Sequence, residues 1–171
     1  FTLRGTDSMR VALGAVVQPR VRLLTAEPDA RLTADGSPIG SVARALLPAN
    51  ALPRPAQVVL RSDLPAGRVL VETGARIDAG TQGRVQLTAG RQVLVDGELA
   101  AAGGSVSMSL GSAPLTGGPA TVENFAGRVI QLGANARVDV SGVSTVREDA
   151  RGVRRGEVLD GGSVVLSAPL G

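Results

Sequence analysis

The sequence predicts an all-β fold, a right-handed parallel β-helix (solenoid) with loop insertions and a less regular N-terminal part. Two observations predict it. Short segments of alternating apolar and polar residues recur through the second half of the chain, and the apolar residues are nearly all small aliphatics. Phe1 and Phe125 are the only aromatic residues among 171. An ordinary domain of this size buries several large rings, whereas stacked small aliphatics suit the narrow interior of a solenoid.

An internal repeat sets the period of the predicted solenoid. Val85 and Val106 occupy equivalent positions 21 residues apart, and Ile77 and Leu99 are 22 apart. Two longer stretches also recur. Residues 132–142 repeat the pattern of residues 71–80, and residues 161–168 repeat that of residues 103–110. A period in the low twenties is typical of solenoid repeats.

Each repeat contains two or three segments of about four residues that alternate in polarity. In residues 84–88, Val85 and Leu87 are expected on one side of a strand, with Arg84 and Gln86 on the other. The same alternation is found for the pairs Val93 and Val95, Val106 and Met108, and Val164 and Leu166. Such short strands bury little in a sandwich, but stacked about 4.8 Å apart they join their apolar faces into one column.

Acidic residues and glycines mark the expected corners between strands. Four aspartates lie beside these corners: Asp78, Asp96, Asp139 and Asp160. We interpret them as turn residues, because aspartate readily accepts hydrogen bonds from nearby backbone N–H groups. Calcium binding is the alternative, although the Gly-Gly-x-Gly-x-Asp repeat of calcium β-rolls is absent. The Gly103-Gly104 and Gly161-Gly162 pairs read as turn glycines and not as a dinucleotide fingerprint.

The predicted organisation has two parts. Residues 1–57 form an irregular region or degenerate rungs with a Pro-rich connector, and residues 58–171 form β-helix rungs with insertions near 111–127 and 141–160. In the first part, residues 20–24 and 30–33 are candidate strands, and residues 38–47 are a candidate short helix that Pro48 ends.

The charge balance does not indicate a nucleic-acid partner. The 18 basic residues, all arginine, and 15 acidic residues give a net charge of +3. The high isoelectric point of 11.1 follows because no Lys, His, Tyr or Cys titrates above neutrality. Aromatic residues that stack on single-stranded bases are also nearly absent. No apolar run approaches the ~18 residues of a membrane helix, the nearest candidate being residues 11–17.

Missing residue types restrict the chemistry. Without histidine there is no Ser-His-Asp triad and no histidine zinc site, and without cysteine there is no thiolate site. Without lysine there is no Schiff base. We therefore predict no catalytic, cofactor-binding or metal-binding residue. Paired carboxylates for glycoside hydrolysis remain the alternative, although aromatic platforms for sugars are lacking.

One segment is a local candidate for binding. Residues 147–157 carry Arg147, Arg151, Arg154 and Arg155, interleaved with three acidic residues. We read this segment as a solvated loop. The sharper alternative is a weak contact with an anionic glycan or lipopolysaccharide, which charge reversal at Arg154 and Arg155 would test.

The repeat resembles the filamentous-haemagglutinin family of bacterial exoproteins. The resemblance is carried by Leu-Gly-Ala-Asn-Ala-Arg-Val-Asp-Val-Ser-Gly at 132–142, by residues 93–110 and by residues 154–168. It covers roughly residues 58–171, and these motifs are specific for architecture more than for activity.

The resemblance implies an internal segment of a long β-helical adhesin fibre, secreted or held at the bacterial surface. Export would use an outer-membrane partner transporter, and the ligand would be a receptor or glycan on a host or bacterial surface. No catalytic residue is carried over, because the motifs match scaffold positions only. Two alternatives stay open: a polysaccharide-active parallel β-helix enzyme and an autotransporter passenger.

Overall fold

The computed structural model of the chain describes residues 1–19, 55–111, 127–148 and 153–168. These residues form an all-β structure of 15 strands with no helix. Three parallel sheets contain 13 of the strands, and the remaining two strands pair with each other.

Each sheet is built from strands that are distant in sequence. In spatial order, sheet I contains β1 (Thr2–Gly5), β4 (Gln57–Ser62), β7 (Arg84–Ala89), β10 (Ser105–Leu110) and β15 (Ser163–Ser167). Sheet II contains β2 (Ser8–Val11), β5 (Arg68–Val71), β8 (Gln92–Val95) and β11 (Val129–Leu132). Sheet III contains β3 (Val16–Val17), β6 (Arg76–Asp78), β9 (Glu98–Ala100) and β12 (Arg137–Asp139).

The register of the sheets follows the sequence repeat. Val85 of β7 pairs with Val106 of β10, and Ile77 of β6 pairs with Leu99 of β9. These are the two spacings that defined the period, so that part of the prediction is confirmed. The restated stretch 161–168 is also in register, because Val164 pairs with Val106.

The core consists of columns of aliphatic side chains that run across the strands. In sheet I, Val58, Val85 and Val106 lie in one column and are fully buried. The next column contains Leu60, Leu87 and Met108, also fully buried. The predicted alternation is confirmed for β7, β8 and β10, whose alternate residues are partly or fully exposed. Val164 and Leu166 of β15 continue the columns but remain about half exposed, at the edge of the sheet.

The corner between sheets III and I depends on glycine. A Cβ atom added to Gly104 would clash with the carbonyl oxygen of Gly83, and one added to Gly162 would clash with that of Gly104. Gly103, just before this column, has φ +62°, a left-handed conformation that costs glycine little. Gln82, which precedes Gly83 in the same way, has φ 55° and is the one non-glycine residue with positive φ in the described chain.

The N-terminal region adds strands that the sequence pattern did not identify. Residues 2–17 contain β1, β2 and β3, which pair in parallel with β4, β5 and β6. The candidate strands at 20–24 and 30–33 and the candidate helix at 38–47 lie outside the described residues. Most of the predicted insertion near 111–127 does too.

The predicted insertion near 141–160 contains β13 (Val143–Glu148) and β14 (Arg154–Leu159). These two strands form a sheet of their own and do not join sheets I to III. Sheets I to III belong to one compact unit, whereas residues 145–148 and 153–157 belong to a second.

Candidate functional site

Two of the corner aspartates act as turn residues. The Asp78 carboxylate accepts a hydrogen bond from the backbone N–H of Gly80 at 2.9 Å. Asp139 accepts two from Ser141, one from the backbone N–H at 3.0 Å and one from the hydroxyl at 2.7 Å. The Ser141 hydroxyl, followed by its backbone N–H, holds the pKa of Asp139 below its usual range. Both carboxylates thus stabilise the turn that follows a sheet III strand.

Asp96 has a different role, because it joins three successive corners between sheets II and III. Its carboxylate accepts hydrogen bonds from the Thr73 hydroxyl and from the side-chain and backbone N–H groups of Asn135, the latter two at 3.1 and 3.0 Å. The pKa of Asp96 is lowered, first by the Thr73 hydroxyl and then by Asn135. Each of these donors favours the ionised form.

The corner that contains Asp96 is shorter than its neighbours. Three of the four corners between sheets II and III have four residues: 12–15, 72–75 and 133–136. The corner at Asp96 has only residues 96 and 97. The missing length leaves a recess, and the Asp96 side chain spans it to reach the corners on either side.

Two adjoining grooves follow this recess. The larger, about 360 Å³, is lined by Leu13, Leu70, Glu72, Thr73 and Asp96. The smaller, about 190 Å³, is lined by Leu70, Leu94, Val95, Asp96, Gln131 and Gly133. The shared lining residues, Leu70 and Asp96, give this surface an aliphatic floor and an acidic wall. We call it the corner groove.

Glu72, the second carboxylate of the corner groove, is held by Arg10 of β2 and by Leu13 of the preceding corner. It binds the Arg10 guanidinium at 2.5 Å and accepts the backbone N–H of Leu13 at 2.9 Å. The Arg10 hydrogen bond, followed by that of Leu13, lowers the pKa of Glu72. Glu72 therefore repeats, one corner earlier, the anchoring role of Asp96.

The contacts of the two carboxylates favour their ionised forms. Glycoside hydrolysis needs one carboxyl group with a raised pKa to protonate the leaving oxygen. In the corner groove the pKa values of Glu72 and Asp96 are both lowered, so both are acceptors at neutral pH. Their oxygens are also already engaged with protein donors. Within the described residues no group of His, Cys, Asp and Glu side chains is arranged to hold a metal ion.

The Arg-rich segment is described only in part. Arg147 lies in β13, and Arg154 and Arg155 lie in β14. Three of the four arginines thus lie in strands, whereas a solvated loop was predicted. Their side chains, and Arg151, lie outside the described part of the chain, so the alternative, a contact with an anionic glycan, stays a prediction.

The corner groove was not predicted from the sequence. Asp96 was singled out as a corner residue, but its reach to Thr73 and Asn135 was not predicted. The available signal was the short Val-Asp-Gly-Glu connection at 95–98, set against the four-residue corners of the neighbouring repeats.

Comparisons with known proteins leave the chain without an assigned relative. No family model, no curated protein and no solved structure matches it. Among the described residues, no helix is long and apolar enough to cross a membrane.

Proposed function

We propose that the chain is a right-handed parallel β-helix segment of a large secreted or surface-exposed bacterial adhesin fibre, and that this segment is not catalytic. The observation that carries the proposal is the strand order. Within the described residues, the strands visit sheets I, II and III in the same order four times, and the last one, β15, returns to sheet I. A repeated circuit with in-register parallel pairing is how a solenoid buries one continuous core.

Surface chemistry supports a scaffold or adhesive role over an enzymatic one. The corner groove holds two carboxylates with lowered pKa values and no group suited to act as a general acid at neutral pH. The outward positions of β10 are Ser105, Ser107 and Ser109. Such a surface offers hydrogen bonds to a partner but no activated nucleophile.

Deleting one complete circuit tests the architecture. Removing residues 84–104 takes out β7, β8 and β9 and joins Gly83 to Ser105. Because Gly83 and Gly104 occupy equivalent corners, β10 can then pair with β4 in the register that β7 held. We expect the shortened chain to keep a strand-type circular dichroism spectrum and cooperative unfolding, as a solenoid does after loss of a whole repeat.

A smaller deletion provides the control. Removing residues 84–95 takes out β7 and β8 only, so β9 would enter the position of a sheet I strand with the wrong length and pattern. We expect this variant to lose its strand signal although fewer residues are gone. Equal disruption by both deletions would contradict the solenoid.

The adhesive role is tested by retention of chain-coated microspheres on epithelial monolayers and on bacterial cells, with albumin-coated spheres as the control. Retention above the control is expected.

The enzymatic alternative is tested by release of reducing ends from polygalacturonate, xylan and alginate. Release that purifies with the chain would overturn the assignment as non-catalytic.

A further inference from the structure

The outer faces of the three sheets differ in how their charges are balanced. On sheet III, the Arg76 guanidinium lies 2.7 Å from Glu98 and 3.1 Å from Asp78. Arg137 of β12 lies 3.5 Å from Asp139. The outward arginines of β6 and β12 are therefore each paired with a carboxylate of their own sheet, which leaves little charge for an external partner.

Sheet I is cationic by comparison. Its outward strand positions include Arg4, Arg61 and Arg84 and no carboxylate. Asp63, just after β4, pairs with Arg61 at 2.5 Å. Arg84 donates to the uncharged hydroxyl of Ser105 at 3.3 Å. The face thus carries a positive excess that its own side chains do not neutralise.

Two of these arginines are directly opposed. Arg4 of β1 pairs in register with Arg61 of β4, and like charges placed opposite each other on neighbouring strands are destabilising. Within the described residues, Arg4 makes no ion pair or side-chain hydrogen bond. Asp63 already neutralises part of the Arg61 charge, so an external anion at this point would bind mainly Arg4 and gain charge-assisted hydrogen bonds there.

Beside the arginines lies an array of small polar side chains. Gln86 and Thr88 of β7 face Ser107 and Ser109 of β10, and the hydroxyls of Thr88 and Ser109 are 3.1 Å apart. Neighbouring strands in a sheet are about 4.8 Å apart, so these groups form a shallow, regular surface. They can donate to and accept from the hydroxyl groups of a partner that lies across the strands.

We infer that the outer face of sheet I binds an acidic polysaccharide. Its carboxylate or sulfate groups contact Arg4, Arg61 and Arg84, and its hydroxyl groups contact the Gln, Thr and Ser side chains of β7 and β10. A polysaccharide fits this face better than a nucleic acid, because no aromatic side chain is present on it to stack with a base. This inference rests on the proposed adhesive function and assigns it a face and a class of ligand.

The experiment compares two double variants with the same net charge. Arg4→Gln/Arg61→Gln removes two charges from sheet I, and Arg68→Gln/Arg137→Gln removes one each from sheets II and III. Binding of each folded variant to immobilised dextran sulfate and to polygalacturonate is measured by biolayer interferometry at low and physiological salt. We expect the sheet I variant to bind about tenfold more weakly, because it loses one to two charge-assisted hydrogen bonds. The control variant should lose less than twofold in affinity.

The two polymers distinguish sulfate from carboxylate as the preferred group, and neutral dextran should not bind. Equal losses in both double variants would overturn the inference, because they would show attraction to net charge alone. Tighter binding to single-stranded DNA of matched charge would also overturn it. Failure here, with microspheres still retained on cells, would leave the adhesive function in place with another ligand. Loss of that retention in the wild-type chain would remove the adhesive function itself.

Discussion

Successive strands are held together by different means at two corners of the fold. One corner lies between sheets III and I, and the other lies between sheets II and III. At the first, glycines bring the backbones so close that a Cβ added to Gly104 would clash with the Gly83 carbonyl group. At the second, the Asp96 carboxylate reaches the neighbouring corners through Thr73 and Asn135. At Gly104 the glycine corner has no space for a side chain. The acidic corner also contains a tightly packed glycine, since a Cβ added to Gly97 would clash with the Ala75 carbonyl oxygen, but its other residue, Asp96, acts through its side chain.

The difference indicates where substitutions are tolerated. Close backbone packing cannot adjust without moving a whole strand, because each corner is connected to a sheet on both sides. A side-chain bridge at the surface can be replaced in part by water. The glycine corner is therefore expected to be the more sensitive of the two.

Gly104→Ala should lower the free energy of unfolding more than any other substitution considered for these two corners. The added methyl group would push apart the chains at Gly83 and Gly104, with a cost of about 3 kcal/mol, as for overpacking of a close-packed region. Chemical denaturation gives the free energy of unfolding. Gly161→Ala is the matched control, because its Cβ would meet its nearest neighbour at an ordinary 3.7 Å. Similar losses in both variants would contradict the close-approach explanation.

Asp96→Ala should have the next largest effect on stability. It removes the acceptor for Thr73 and Asn135, and we expect Tm to fall by about 4 °C, as for the loss of ordinary hydrogen bonds in a chain of this size. Asp63→Ala removes an exposed carboxylate that binds only Arg61 within the described residues. If Asp63→Ala lowered Tm as much as Asp96→Ala, the bridge across corners would not be a specific source of stability.

Gln82→Gly should stabilise the glycine corner slightly. Gln82 has φ 55° at the position where the next circuit has Gly103, and the left-handed conformation costs a non-glycine residue about 1 to 2 kcal/mol. Part of that gain is offset by the greater freedom of glycine in the unfolded chain. We expect Tm to rise by about 2 °C. The reverse change, Gly103→Gln, should lower it, and a fall in Tm for Gln82→Gly would contradict the assignment of strain.

Acid should weaken the acidic corner selectively. The pKa values of Glu72 and Asp96 are lowered by their donors, so the stability they provide is present above the unfolded values near 4. It is lost as the pH falls through the lower folded values. Because the chain has no His, Lys, Tyr or Cys, Tm should be nearly constant between about pH 5 and 9. Asp96→Asn should reduce the fall in Tm below pH 4, and an unchanged fall would contradict a stabilising role of the Asp96 carboxylate.

Much of the strand arrangement was predictable because alternation and spacing are local properties of the sequence. The pairing of Val85 with Val106 and of Ile77 with Leu99 followed from the repeat alone. The first three strands were not identified. They have two to four residues each, and β2 has one buried side chain, Val11. Too few apolar positions remain in such strands to show a period.

The contacts of the corner groove were less predictable, since they depend on corners more than 20 residues apart in sequence. Asp96 directly follows a strand, Asp78 and Asp139 each end one, and all three read as turn residues. Only Asp78 and Asp139 bind the backbone two residues later. Asp96 points to the neighbouring corners because its own corner is two residues shorter than theirs, a difference that matters only once the corners are stacked.

The sequence by itself determined the all-β class, the alternation of inward and outward residues and the period, because each follows from the order of apolar, polar and glycine residues along the chain. It also excluded histidine, cysteine and lysine chemistry from these 171 residues. Tertiary structure alone decided which carboxylates bridge corners, which glycines have no space for a Cβ, and that Arg4 faces Arg61. Those properties depend on the distance between neighbouring strands, and that distance is set only when residues far apart in sequence are packed together.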